Sequence, residues 1–307
     1  MHPRRPSHEP AGSAVTCRVV DDALLRDWPL PAPDEDGDKE SRGRVLVLAG
    51  SREMPGAAVL AGTAALRAGA GKLVIATPQS AAQTVAAGVP EARVIALPEG
   101  SDGGPTVFGL PALQAIARST ACLLVGPGMI GHESTVAFAH TQLPLFRHAT
   151  ELLDALAMDL VRSVHRFEQP VILTPHAGEM AHLTGNAKED LQEVPAEVAE
   201  RQARQWNATV VLKGATSCIA SPSAGVWTHR SQAPGLGTSG SGDVLAGLIA
   251  GLAARGATPG QATVWGVALH ARAGEALARR QGTLGFLARE LAAEVPTLLE
   301  QCAGSVR

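Results

Sequence analysis

From Arg44 onward, short apolar runs alternate with longer stretches of small and helix-forming residues. Val45–Leu48 is continuously apolar and ends in Ala49-Gly50-Ser51, the pattern of a parallel strand buried on both faces. Gly56–Ala70 predicts a small-residue helix and Lys72–Ala76 the next strand. Further strands are predicted at Arg93–Leu97, Ala121–Val125, Glu151–Asp154, Val171–Leu173 and Val210–Leu212, with helical segments between most of them. The alternation predicts the α/β class, a three-layer α/β/α sandwich around a mainly parallel sheet. Ser217–Ala220 and Val226–His229, flanking the turn-rich Ser221–Gly225, predict a late hairpin. The C-terminal part reads as helical, with Thr258-Pro259 opening one helix and Thr283–Phe286 leading into another. Residues 1–42, rich in Pro, Asp, Glu and Arg, predict a partly disordered lead-in with one short helix around Val20–Trp28. Residues 43–307 then form one domain, without an internal repeat or a long linker.

A parallel sheet binds ligands beyond the carboxyl ends of its strands. The segments that follow the predicted strands are therefore candidate site loops: Gly50-Ser51 with Pro55-Gly56-Ala57, Gly126-Pro127-Gly128, Asp154-Ala155, Thr174-Pro175-His176 and Lys213-Gly214. Each is rich in Gly, Pro or polar residues. Glu179, three residues past His176, is either a favourable acid in a helix's first turn or a group that helps hold magnesium through water. His176 either hydrogen-bonds substrate or packs as a satisfied histidine. Lys213 is either a solvated strand end or a point charge for a nucleotide phosphate.

The strongest chemical signal is GLGTSGSGDVLAGLIAG, Gly235–Gly251. A glycine-rich loop feeding a helix aims unpaired backbone N–H groups at one point, and the helix dipole adds about half a positive charge there. That arrangement is an anion site, most naturally for phosphate. Gly235, Gly237 and Gly240 satisfy GxGxxG, yet Gln232-Ala233-Pro234 precedes them instead of a strand, and no acid occurs between Asp243 and Glu275. The dinucleotide fingerprint therefore fails, and no Lys-Ser or Lys-Thr marks a P-loop. Asp243, beside the phosphate corner, is either a helix N-cap or a group that moves a proton.

Composition narrows the field. A net charge of −3 and a pI near 6.4 give no basic field, which excludes nucleic acid as the expected partner. Cys17, Cys122, Cys218 and Cys302 form no CxxC pairs and read as reduced thiols in a cytoplasmic protein. Val244–Ala254, the longest apolar run, is too short to span a bilayer, and no apolar segment follows the N-terminal arginines as a signal peptide requires. Arg52, Glu53 and His132 read as loop surface. His140, His148, His165, His182, His229 and His270 show no metal-ligand spacing.

Taken together, VLVLAGSREMPGAAVLAG, RAGAGKLVIATP, LVGPGM, VILTPHAGEM, VVLKGATS and TSGSGDVLAGLIAG resemble the ADP-dependent NAD(P)H-hydrate dehydratases of the ribokinase-like superfamily. The likeness runs from about Arg44 into the C-terminal helices. It implies nucleotide-dependent dehydration of hydrated NADH and NADPH (NADHX and NADPHX, S epimer) to the normal reduced cofactors. By that resemblance Ala57, Gly128, His176 and Asp243 contact the hydrated cofactor, with Asp243 as catalytic base. Lys213, Gly214, Ala215, Thr216 and Ser217, with Gly240, Ser241 and Gly242, meet the adenine nucleotide, ADP or ATP. Glu179 stands where sugar kinases of the superfamily carry a glutamate associated with Mg2+. Two departures stand out: Leu156 replaces a second acid or glycine found in many relatives, and Thr238-Ser239 stands where some carry Lys-Gly. Many members also carry an N-terminal epimerase domain, for which the residues before the first strand are too few, so a separate epimerase is expected. The resemblance further implies a homo-oligomer, with a tetramer as one form. The alternative is a kinase of the same fold acting on a vitamin-precursor alcohol of the hydroxyethylthiazole or hydroxymethylpyrimidine type. A nucleotide-binding regulator without turnover is a third reading; its sign, loss of Asp243 or of the glycines, is absent.

Overall fold

The structure, a computed structural model, describes residues 15–32 and 36–303. Among the described residues, ten strands form one sheet: β1 (Cys17–Val19), β2 (Arg44–Leu48), β3 (Lys72–Pro78), β4 (Arg93–Leu97), β5 (Cys122–Val125), β6 (Thr150–Leu153), β7 (Val171–Leu173), β8 (Thr209–Leu212), β9 (Thr216–Ser221) and β10 (Gly225–Arg230). Their order is β1-β10-β9-β8-β7-β6-β5-β2-β3-β4. Only β9 runs against its neighbours, β8 and β10. The expected hairpin is the β9–β10 pair. The first helices are α1 (Asp22–Asp27), α2 (Pro55–Arg67), α3 (Ala82–Gly88), α4 (Leu110–Ala117), α5 (His132–Gln142) and α6 (Val161–Val164). Then come α7 (Ala177–Thr184), α8 (Lys188–Glu193), α9 (Pro195–Trp206), α10 (Ser241–Ala254), α11 (Pro259–Gln281) and α12 (Ala288–Ala303).

Successive strand side chains point to opposite faces, so each central strand feeds two cores. Val45 and Val47 of β2 pack with α2, α10, α11 and α12, whereas Leu46 and Leu48 pack with α4, α5 and α9. Three layers follow. The small-residue face of α2 lies against α10 of the same chain. A Cβ at Gly247 would fall 2.2 Å from Ala61 O, and one at Gly251 2.4 Å from Ala65 O. Only glycine allows that approach, which fixes where α10 begins.

From β2 the chain moves outward through β3 to β4, then returns to the other side of β2 at β5. The carboxyl ends of β2 and β5 therefore border the crevice where strand order reverses, the usual ligand position in such sheets.

The lead-in differs from expectation. Its helix is present as α1, with Asp21 Oδ1 accepting from Leu24 N at 2.9 Å. A strand, β1, precedes it and pairs in parallel with β10. Three residues reading Cys-Arg-Val carry no apolar run, so the pattern could not announce an edge strand. Trp28 stacks on Trp227 with ring centroids 5.5 Å apart. Trp265 Nε1 donates to Trp28 O at 2.9 Å, and Gln261 Nε2 to Pro29 O at 2.8 Å. Residues 1–14 and 33–35 of the lead-in lie outside the described residues.

Candidate active site

At the crevice, Gly50 N donates to Pro127 O at 2.8 Å, tying the loop after β2 to the loop after β5. Gly128 has φ +64°, and a Cβ there would lie 2.4 Å from Ala57 Cβ and 2.9 Å from Met54 O. Ala57, in the first turn of α2, and Gly128 are thus neighbours, as a shared substrate contact requires. Pro55 at the start of α2 supplies the φ that a helix needs where no N–H partner exists.

Beyond β6, β7 and β8, charged groups gather. Thr174 Oγ1 donates to Asp154 Oδ1 at 2.6 Å. Lys213 N donates to Pro175 O at 2.8 Å, and Lys213 pairs with His176 as a short parallel bridge. That bridge carries Lys213 Nζ to 3.5 Å from Asp154 Oδ1 and 3.6 Å from Glu179 Oε2. Burial opposes the charge on Lys213, but the Asp154 and Glu179 carboxylates outweigh it and raise its pKa above the usual lysine range. His176 is the N-cap of α7: its Nδ1 accepts from Glu179 N at 3.1 Å while Glu179 Oε2 accepts from His176 N at 2.7 Å. This reciprocal cap satisfies two otherwise orphaned amides. Glu179 therefore stabilises the helix start and faces Lys213 with the same carboxylate.

The glycine loop closes the corner. Gly240, at φ +85°, is the N-cap of α10, and no side chain caps that helix. Asp243 is therefore not a cap. Burial first, then the Asp154 carboxylate, push its pKa up to about 6 against the opposing pull of Lys213. A Cβ at Gly242 would have only Lys213 Nζ within 4 Å, at 3.8 Å. The ammonium thus faces the first turn of α10. Ser241 behaves differently from its neighbours. Its N–H donates to Thr238 O at 3.2 Å, and its O and Oγ each lie 3.0 Å from His270 Nε2. Burial foremost depresses His270 to about 4, so a neutral imidazole holds the loop.

A cavity of about 700 Å³ opens beside this corner. One wall is Lys213, Gly214, Ala215 and Ser217; another is Ser241 and Gly242; His176 stands at the edge. Leu236, Leu245 and Val267 give the far side an apolar surface suited to a flat heteroaromatic ring. Thr216, exposed at the start of β9, is not among the lining residues. Asp154 and Thr174 belong to two of the strand-end loops that the sequence marked as candidates, without a role of their own, whereas His270 was not marked as a site group. The first two stand at strand ends, where the sheet rule pointed. His270 comes from the middle of α11 and carried no local signal.

His132, read from the sequence as loop surface, and His182, read as lacking metal-ligand spacing, converge with Asp159: their Nε2 atoms lie 2.5 and 2.8 Å from its Oδ2. Their separation in sequence hid a cluster that the fold assembles.

The family model described as NAD(P)H-hydrate dehydratase matches residues 45–297. The chain belongs to that family. It is 48% identical to the ADP-dependent (S)-NAD(P)H-hydrate dehydratase of Xanthomonas campestris pv. campestris, over 92% of this chain and 96% of that one. The bifunctional NAD(P)H-hydrate repair enzyme Nnr of Moorella thermoacetica is 38% identical, over 88% of this chain but only 52% of its own length. The crystal structure of the ADP/ATP-dependent NAD(P)H-hydrate dehydratase of Bacillus subtilis, co-crystallised with ATP and Mg2+, superposes with a TM-score of 0.81. Its identity is 30%, and the match covers 94% of this chain and 100% of that one. The three-layer, ribokinase-like architecture expected from the sequence is the one observed. Among the described residues, no helix is long and apolar enough to cross a membrane.

Proposed function

We propose that this member of the dehydratase family restores hydrated NADH and NADPH to the reduced cofactors, consuming the terminal phosphoryl group of ADP or ATP. One observation carries the reading: Asp243, a half-buried carboxyl with a pKa of about 6, stands beside Lys213 at the glycine-lined start of α10. A base of that strength is ionised at neutral pH yet basic enough to share an alcohol's proton as it reacts. The adenine nucleotide occupies the cavity with its phosphates toward Lys213 and Gly242. The hydrated nicotinamide lies against Ala57, Gly128 and His176. Asp243 takes the hydroxyl proton as the alcohol oxygen attacks phosphorus, and the nucleotide leaves with one phosphate fewer. The C–O bond of the phosphate ester then breaks, inorganic phosphate leaves, and the adjacent ring carbon gives up a proton to water, so that the ring recovers its double bond.

Asp154, Glu179 and Asp243 around Lys213 supply hard oxygen donors, a set that fits magnesium held through waters and phosphates. Bound there, the ion neutralises charge on the phosphate oxygens. Glu179, already fixed by the α7 cap, is the residue we assign to its water shell. Gly242 leaves room for the phosphoryl group, Gly240 supplies the left-handed turn that opens α10, and Ser241 holds the loop's shape. An epimerase acts on the other hydrate epimer, and the protein works in the cytoplasm as a homo-oligomer.

The test combines protein, magnesium, ADP or ATP and enzymatically prepared NADHX and follows recovery of reduced-nicotinamide absorbance. Recovery that requires nucleotide supports the reading. No recovery with either nucleotide, alongside phosphorylation of a thiazole alcohol, would establish the kinase instead.

A further inference from the structure

His132, Asp159 and His182 sit outside the machinery above, on three elements that leave neighbouring strand ends. His132 opens α5 beyond β5, Asp159 lies in the 3₁₀ segment Ala155–Leu160 beyond β6, and His182 is in the last turn of α7 beyond β7. Their ligand atoms all lie within 4.8 Å of one another. The two imidazoles are about half exposed, at 54% and 55%, while the Asp159 side chain is 7% exposed. A carboxylate held in the wall and two movable imidazoles closing over it make an open, one-sided ligand set. We propose that His132 Nε2, His182 Nε2 and Asp159 Oδ2 bind one divalent transition-metal ion, with zinc as the expected occupant.

The chemistry of the donors supports this choice. Two imidazoles and one carboxylate suit zinc and its neighbours, whereas magnesium prefers oxygen alone. Tetrahedral ligands at zinc–nitrogen distances of about 2.0–2.1 Å stand ~3.3 Å apart. The Nε2–Oδ2 separations of 2.5 and 2.8 Å open to that value by small turns of the exposed rings. Asp159 Oδ2 already meets both imidazoles, so the three donors converge on one point. The ion replaces the two ring protons that now point at that oxygen, and water completes its shell. One feature opposes binding: Arg162 Nη1 lies 3.5 Å from His182 Nε2. Arg162 is exposed and can swing into solvent. Once bound, the ion braces α5, the segment before α6, and α7, whose cap is His176.

The full-length protein, stripped with chelator and dialysed against zinc chloride, should retain one zinc per chain. Cobalt(II) in its place should give a visible spectrum of mixed nitrogen and oxygen ligation. Losing even an outer-shell partner costs about 10–100-fold in metal affinity, so His132→Ala, His182→Ala and Asp159→Asn should each weaken binding by at least roughly tenfold. Arg162→Ala should tighten it. His140→Ala, an exposed histidine on the same helix as His132, should leave it unchanged. Absence of stoichiometric zinc in the wild type, or equal affinity in His182→Ala, overturns the proposal. Thermal melts with and without zinc confirm that each variant is folded, and the zinc-dependent rise in Tm should vanish with the ligands.

Discussion

Strand β6 carries an acid near each end, and the two have opposite fates. Glu151, near its start, is fully buried and accepts from Gln142 Nε2 at 2.5 Å and Gln169 Nε2 at 2.8 Å. Burial pushes its pKa up to about 8 although the amides pull the other way. Gln142 Oε1 is buried without a partner; turning that amide over lets it accept the proton of a neutral Glu151. Asp154, just past the other end, faces Thr174 and the Lys213 ammonium next to an open cavity. Burial alone therefore yields a neutral structural acid. A cation and a cavity are what make the second acid part of a site.

Replacing Asp243, the carboxyl that Asp154 and Lys213 tune, should have the largest effect. Asp243→Asn should lower kcat about 10²–10⁴-fold, the usual share of a general base, while nucleotide binding measured by calorimetry changes little. Wild-type kcat should rise with pH through about 6 as Asp243 ionises, and that limb should disappear in the variant. The stability sign is opposite. A carboxyl whose folded pKa is raised contributes stability below its ordinary pKa and loses it as pH rises through about 6, so Asp243→Asn should melt higher than wild type at pH 7.

Lys213→Met comes next. It removes charged contacts worth about 1.5–3 kcal/mol, or roughly tenfold to hundredfold in nucleotide KM. Because Lys213 lowers the Asp243 pKa, the acidic limb should move to higher pH. Asp154→Asn should move that limb the other way, since Asp154 raises it; an unmoved limb would show that the two acids do not share a field. The smallest effect belongs to Glu151→Gln, which should leave kcat unchanged. Its signature is in stability: the wild type should lose stability as pH rises from 4.5 through about 8, and the variant should not.

The sequence made the sheet legible because strands buried on both faces are written as unbroken apolar runs. β7, Val171–Leu173, buried throughout, falls where the pattern predicts it. The phosphate corner was legible for a different reason: Gly240, Gly242 and Asp243 are consecutive or nearly so, and their chemistry is local. Asp154 was legible as part of a strand-end loop but not as the partner of Lys213, and His270 was not legible at all, because its role depends on Ser241, which only the fold brings near. The zinc ligands proposed above were less legible still, being spread across three loops and helices with no shared spacing. The short edge strand β1 escaped notice because half-exposed residues need not be apolar.

That edge strand carries a consequence for how the molecule is made. Val20 O accepts its place beside His229 Nδ1 at 3.0 Å, a contact between residues 209 positions apart. On the ribosome, β1 must wait until Arg230 of the 307-residue chain has been made before its neighbour β10 is complete. β1 is consequently the last of the ten described strands to find its partner, and cotranslational folding starts from the strands made between the two and closes at this edge.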